Sequence, residues 1–77
     1  MAHLEVGSDV IEITLNGDRR TVPASSTVAS LLDTLTLDAR LVVVERNREI
    51  LRDRDSFHRL ELAEGDTIEI FHFVGGG

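Results

Sequence analysis

The residues best suited to chemistry stand at the end of the sequence, in Val74-Gly75-Gly76-Gly77. Glycine has no side chain to pack and loses the most backbone entropy on ordering, so three in a row make a weak structural element. A chain without Cβ atoms is, however, thin enough to thread a narrow channel, and three extended residues reach roughly 10 Å. That shape suits delivery of the terminal carboxylate of Gly77 into the active site of another protein. Val74, and Phe73 before it, mark where a body gives way to an arm. The plain alternative is a frayed end. Other constellations are weaker. His58 and His72 lack the carboxylate or cysteine spacing of a metal site, and His72 reads as a packed or half-exposed strand residue. Asp53, Asp55 and Asp66 lack the glycine and terminal glutamate of a calcium loop. No Ser-His-Asp set carries a nucleophile signature. The chain has no cysteine, which excludes disulfides, thiolate catalysis and Cys-ligated metals.

An arm needs a body to carry it, and 77 residues suffice for one small domain. The first nine residues show no period and read as a leader (1–9), followed by a body (10–74) and the glycine tail (75–77). Val10 to Leu15 alternates, with Ile11, Ile13 and Leu15 on one face of a strand. Asn16-Gly17 is the favoured pair for a two-residue hairpin turn. Asp18 to Val22 returns as a second strand, closed by Pro23. Ser26 or Thr27 caps a helix of about ten residues, in which Val28, Leu31, Leu32 and Leu35 form one apolar stripe. Leu41-Val42-Val43-Val44 reads as a strand, Asn47-Arg48 as a tight turn and Glu49-Ile50-Leu51 as a short return strand. The charged stretch Arg52 to Arg59 predicts a surface loop or single helical turn pinned by Phe57. Ala63 to Asp66 is a turn, and Thr67 to Val74 a last strand in which Ile68 and Ile70 alternate with Glu69. The order β-β-α-β-(β)-β predicts an α+β fold, a sheet with the helix across one face.

This order, the size and the glycine tail resemble the ubiquitin-like β-grasp fold. Within it the chain resembles the ThiS family of sulfur carriers of thiamine biosynthesis. The residues that carry the resemblance are Ile13-Thr14-Leu15-Asn16-Gly17, Thr27 to Leu32, Val43-Val44-Glu45-Arg46-Asn47, Gly65-Asp66-Thr67-Ile68-Glu69-Ile70 and Phe73-Val74-Gly75-Gly76-Gly77. The Gly-Asp-x-Ile-Glu-Ile run with its Val-Gly-Gly-Gly end is the specific part, and the resemblance covers about residues 11 to 77. It implies a mixed four- to five-stranded sheet with the first and last strands parallel and adjacent in the middle. One departure is Arg48, where family members often carry glycine. An arginine is expected there only if the turn does not require φ > 0.

The resemblance also implies a reaction sequence. A carboxylate resists nucleophiles because its charge repels them and its oxide leaves poorly. A ThiF-like adenylating enzyme would activate Gly77 with ATP, a persulfide sulfur donor would displace AMP to leave a thiocarboxylate, and a ThiG-like thiazole synthase would receive the sulfur. The protein would be a co-substrate rather than an enzyme. It would bind no cofactor itself, since its partner consumes the ATP. With Ile68 and Ile70 facing the helix, Phe71 and Phe73 point away and, with Val74, Gly75 and Gly76, are the expected partner-binding residues, joined by Val43 or Leu41. A register slip after Ile70 would instead place Phe71 in the core. Alternatives are the small subunit of molybdopterin synthase (MoaD-like), a non-reactive β-grasp binding module and a ubiquitin-like modifier. All eight basic residues are arginine, so lysine-linked self-conjugation is unavailable. The net charge of −6 argues against nucleic-acid and anionic-membrane surfaces and favours basic clefts on partners, or plain solubility. No apolar run approaches the roughly 20 residues of a membrane span, and no signal peptide is visible. A cytoplasmic location is expected.

Overall fold

The computed structural model describes residues 9–73. Val10–Leu15 (β1) and Asp18–Pro23 (β2) form the expected antiparallel hairpin, with Ile13 opposite Arg20 and Ile11 opposite Val22. The turn between them holds Asn16 at φ 49° and Gly17 at φ 90°, the two positive angles that this short connection demands. Helix α1 spans Val28–Thr34. Strand β3 is Val42–Arg46, β4 is Glu49–Ile50 and β5 is Thr67–His72. The five strands lie in the order β2-β1-β5-β3-β4, with β5 parallel to β1 and antiparallel to β3. This is a mixed sheet with one helix, the β-grasp arrangement, and its central strand is the one that leads into the tail.

Helix α1 starts at a capping box. The Thr27 Oγ1 accepts the Ser30 N–H at 3.1 Å, and the Ser30 Oγ accepts the Thr27 N–H at 2.8 Å. The next orphan donors are met from outside the helix: Val28 N–H bonds Leu60 O and Ala29 N–H bonds Phe57 O. The first residues of α1 are thus tied by their backbone to the loop around buried Phe57. Val28, Leu31 and Leu32 then meet Ile13, Val22, Val42, Val44, Ile68 and Ile70 of the sheet in one core, closed by Phe57 and Leu62.

Several boundaries differ from the sequence expectation: β5 ends at His72 and does not include Phe73, and β4 does not include Leu51. The helix has seven residues rather than about ten. It stops because Thr36 turns to φ 59°, with Thr36 N–H bonding Asp33 O and Leu37 N–H bonding Leu32 O. That is the pattern of a Schellman ending, with threonine where glycine is usual. Leu41 is not in β3: it ends a 3-10 turn over Ala39–Leu41 and is 56% exposed. Near the start of the described residues the Asp9 carbonyl accepts the Ala24 N–H at 2.9 Å. The turn expectation at Arg48 is also overturned. Asn47 has φ 51° and Arg48 φ 72°, so Arg48 does sit in the left-handed region. The tertiary bonds of Asn47 described below hold it there.

Candidate functional site

The site is built around β5 and what holds its two ends. At the start, Thr14 N–H bonds Asp66 O, Gly65 N–H bonds Glu12 O, and Asn16 N–H bonds Ile68 O. The Asn16 side chain then reaches back, its Oδ1 accepting the Ile70 N–H at 2.8 Å. This matters because β1 pairs with β5 only at Thr14–Thr67 and Leu15–Ile68 before the hairpin turns away. Asn16 therefore supplies a ladder partner where the neighbouring strand has none.

Asn47 does the equivalent from the β3 side. Its N–H donates to Thr67 O at 2.7 Å and its Oδ1 accepts the Thr67 N–H at 2.9 Å. Its Nδ2 donates to Asp66 Oδ1 at 3.1 Å. Asp66 is 6% exposed, and its Oδ2 also accepts the Ala63 N–H at 2.8 Å and pairs with Arg46 Nη2 at 3.0 Å. What reads in sequence as a plain Gly-Asp turn is thus a buried carboxylate at the centre of a network, its polar atoms satisfied as burial requires.

Beyond Ile70 the two faces of the sheet separate cleanly. Ile68 and Ile70 are buried toward α1, while Phe71 is 48% and Phe73 56% exposed on the opposite face. No register slip occurs, and Phe71 is not a core residue. Phe71 stands directly across from Val43 of β3, and Phe73 N–H bonds Leu41 O at 3.1 Å. Phe71, Phe73, Val43 and Leu41 are therefore brought together, as the sequence expected, with exposed Ile50 on the outer side of the neighbouring strand. Farther along the same face Glu45 lies opposite Glu69, and these two with Arg48 and Thr67 line an open depression of about 400 Å³. Two like charges paired directly across strands oppose pairing, and the Arg48 that lines the same depression is of opposite sign. Val74, Gly75, Gly76 and Gly77 lie outside the described residues.

Arg54 escaped the sequence reading. It opens a 3-10 turn over Arg54–Ser56, capped by the Asp53 side chain, which accepts the Asp55 N–H. Its Nε donates to Ala39 O at 2.9 Å and its Nη2 to Val42 O at 3.0 Å. The same guanidinium lies 5.9 Å from the centre of the Phe73 ring, within cation–π range. A lone arginine in a charged loop carries no sequence signal for such a role. The capping aspartates, by contrast, have their side chains engaged locally. Asp38 caps the Ala39–Leu41 turn, and the Arg40 side chain bonded to it, helped by the Arg40 backbone N–H, lowers its pKa to about 2. His72 is exposed on β5, more so than the packed or half-exposed position expected, and His58 is exposed in its loop. Among the described residues no group of three or more histidines or carboxylates converges as a metal site, and no helix is long and apolar enough to cross a membrane.

Residues 13–77 match the ThiS family. The chain is 44% identical over 64 residues to the sulfur carrier protein ThiS of Bacillus subtilis, covering 82% of this chain and 96% of that protein. It is also 42% identical over 67 residues to a thiazole synthase of Paramagnetospirillum magneticum, but spans only 20% of that protein's length. Among solved structures, the crystal structure of the thiamine biosynthesis protein ThiS from Geobacter metallireducens is similar, with a TM-score of 0.73 and 36% identity, over 87% of this chain and all of that one. A solution structure of a thiamine biosynthesis protein from the same organism gives 0.69 and 37%, over 87% of this chain and 88% of that one.

Proposed function

The chain belongs to the ThiS family, and from that premise we propose that it is a sulfur carrier for thiazole formation in thiamine biosynthesis. The observation that carries this reading is that the family match runs through to Gly77, so it includes the glycine arm and not only the fold. The match to part of a thiazole synthase supports the choice of recipient, because a segment similar to this chain lies within a protein of that name.

In the proposed sequence the Gly77 carboxylate attacks the α-phosphorus of ATP on a ThiF-like adenylating enzyme, and pyrophosphate leaves. The mixed anhydride offers AMP as leaving group. A persulfide-bearing protein then attacks the acyl carbon and AMP departs. Thiol cleavage of the resulting acyl disulfide, with the thiol oxidised to a disulfide, leaves the thiocarboxylate for a ThiG-like thiazole synthase. The carrier's own residues supply no acid, base or cofactor to these steps. Its contribution is presentation: Phe71 and Phe73 with Leu41 and Val43 dock the sheet face, and Val74 to Gly76 thread the arm. Exposed aromatics grouped on one face fit such a docking role. The Glu45 and Glu69 pair, together with the net charge of −6, complements basic residues around the partner's cleft.

The test is intact-mass analysis after incubation with ATP, an adenylating partner of demonstrated activity and a sulfur donor. The expected result is the mass gained when one oxygen is replaced by sulfur, placed on Gly77 by fragmentation. A chain lacking Gly77 should show no such gain while melting at the same temperature. No gain in the full chain overturns the proposal. A Phe71→Ser change should weaken partner docking and leave the fold intact, since the side chain lies on the face away from the core.

A further inference from the structure

We propose that Arg54 is a positioning residue: its guanidinium fixes the direction in which the chain leaves the body after Phe73, and thereby governs how Gly77 is presented to the adenylating partner. This rests on the sulfur-carrier reading above.

Three contacts converge on one planar group. The Nε and Nη2 atoms bond two carbonyls, Ala39 O and Val42 O, that flank the turn entering β3. One of the two carbonyls between them in sequence, Leu41 O, accepts the Phe73 N–H. The guanidinium therefore braces the same short segment on which the backbone of Phe73 hangs, and it covers the Phe73 ring at 5.9 Å as well. Backbone and side chain of Phe73 are held through one residue.

Arg54 is itself held firmly. Ser56 Oγ and Ser56 N–H both donate to Asp53 O, at 2.7 and 3.0 Å, Phe57 N–H donates to Arg54 O, and the Phe57 side chain is buried in the core. The loop that carries Arg54 is anchored at both ends, so the guanidinium arrives preorganised. Lysine does not reproduce this, because one ammonium is a point charge and lacks the rigid fork that spans two carbonyls. The ordinary reading, an arginine that only ties a loop to a strand, accounts for the two carbonyl bonds but not for the ring placed beneath the same group at the root of the arm.

The consequence is geometric. Any displacement at Phe73 is passed on to the residues that follow it in the chain. Misplacement of a reacting group by about 1 Å can already cost on the order of 100-fold in rate.

The experiment measures ATP–pyrophosphate exchange by the adenylating partner against carrier concentration, for the wild type, Arg54→Lys, Arg54→Gln, Phe73→Ala and the Arg54→Gln/Phe73→Ala double variant. Melting temperature and amide exchange at Phe73 are read alongside. Loss of direction should lower kcat about 10-fold in Arg54→Lys and Arg54→Gln, with a smaller change in KM because Phe71 and Val43 of the docking face are untouched. The Phe73 amide should exchange faster in both variants. The double variant should lose less than the product of the two single losses, since part of what Arg54 does passes through that ring. If Arg54→Gln fails to fold, Arg54→Lys and Phe73→Ala still decide the matter. Wild-type kcat in Arg54→Lys, a loss confined to KM, or additive losses in the double variant would overturn the inference alone. Absence of exchange with the wild-type carrier would overturn the carrier reading and this inference with it.

Discussion

Replacing Asp66 by alanine should remove a large share of the domain's stability, although Asp66 belongs to a turn. The Ala63 N–H and one Asn47 N–H lose their acceptor, from 2.8 and 3.1 Å. At a net value of about 1 kcal/mol per hydrogen bond that is about 2 kcal/mol. The Arg46 guanidinium, paired at 3.0 Å, is left alone with its side chain 24% exposed. Stranding one partner of a buried pair costs about 3–5 kcal/mol, but a guanidinium that can turn toward water recovers part of this, so about 2 kcal/mol is the better figure. The sum is about 4 kcal/mol, set against the about 4–12 kcal/mol expected for a domain of this length. Asp66→Asn keeps an acceptor and loses the charge, so it should cost only about 1–2 kcal/mol. Urea unfolding followed by circular dichroism measures both, with the slope unchanged if the native and denatured states stay as compact. Losses below about 0.5 kcal/mol in both variants would refute the claim that Asp66 organises the start of β5.

Further outcomes follow from the turns and from the exposed ion pair. Thr36→Gly and Arg48→Gly should each stabilise by about 1 kcal/mol, because φ values of 59° and 72° strain side chains that glycine lacks; a lowered urea midpoint for either would show that its angle is not strained. Asn16→Ala should cost about 2 kcal/mol and Asn16→Gly about 1, since glycine keeps the φ of 49° and loses only the bond to Ile70 N–H; equal losses would mean that the backbone angle contributes nothing. Asp38 should titrate near pH 2, below its ordinary 3.8, because the Arg40 side chain and backbone both hold its charged form. Its folded pKa is depressed, so its contribution is present above about pH 4 and is lost as the pH falls through about 2. Arg40→Ala removes the side-chain bonds and leaves the backbone N–H, so the carboxyl titration followed by NMR should move only part of the way back to 3.8.

What the sequence made legible was local or periodic. The hairpin followed from alternation in Val10 to Leu15 and from Asn16-Gly17. The helix followed from the spacing of Val28, Leu31 and Leu32, and the pinning of the charged loop from its one aromatic, Phe57. The outward direction of Phe71 and Phe73 followed from the parity of Ile68 and Ile70. Apart from the helix end at Thr36, what escaped was fixed largely by partners distant in sequence. Arg48 occupies a left-handed angle because Asn47 is committed on both its backbone and its side chain to Thr67, 20 residues away. Thr36 ends the helix where no glycine announces a stop. Asp66 is hidden because its partners are two neighbouring turns, and Arg54 because its acceptors are backbone carbonyls that any residue supplies. Patterns of residue type reveal faces and turns; they do not reveal which polar side chain bridges two turns that only the finished fold brings together.

The strand that leads to the glycine tail is paired on both sides and pinned by side chains along its length, and the two facts belong together. β5 is flanked on both sides, by β1 and β3. Its start is fixed through Asp66 and Asn47, its middle through Asn16, and its end through Leu41 and Arg54. Glycine has no side chain with which to fix the direction of a chain, so aim must come from the residues that precede it. A loosely paired edge strand would serve as well if the tail only had to be long. On the proposed carrier reading the Gly77 carboxylate has to meet the phosphorus of a nucleotide on a partner, and that calls for a root held in place. On this argument, changes that loosen β5 without unfolding it, Asn16→Gly among them, should slow adenylation of Gly77 by more than their effect on stability accounts for. Equally destabilising changes in β2, such as Val22→Ala, should not.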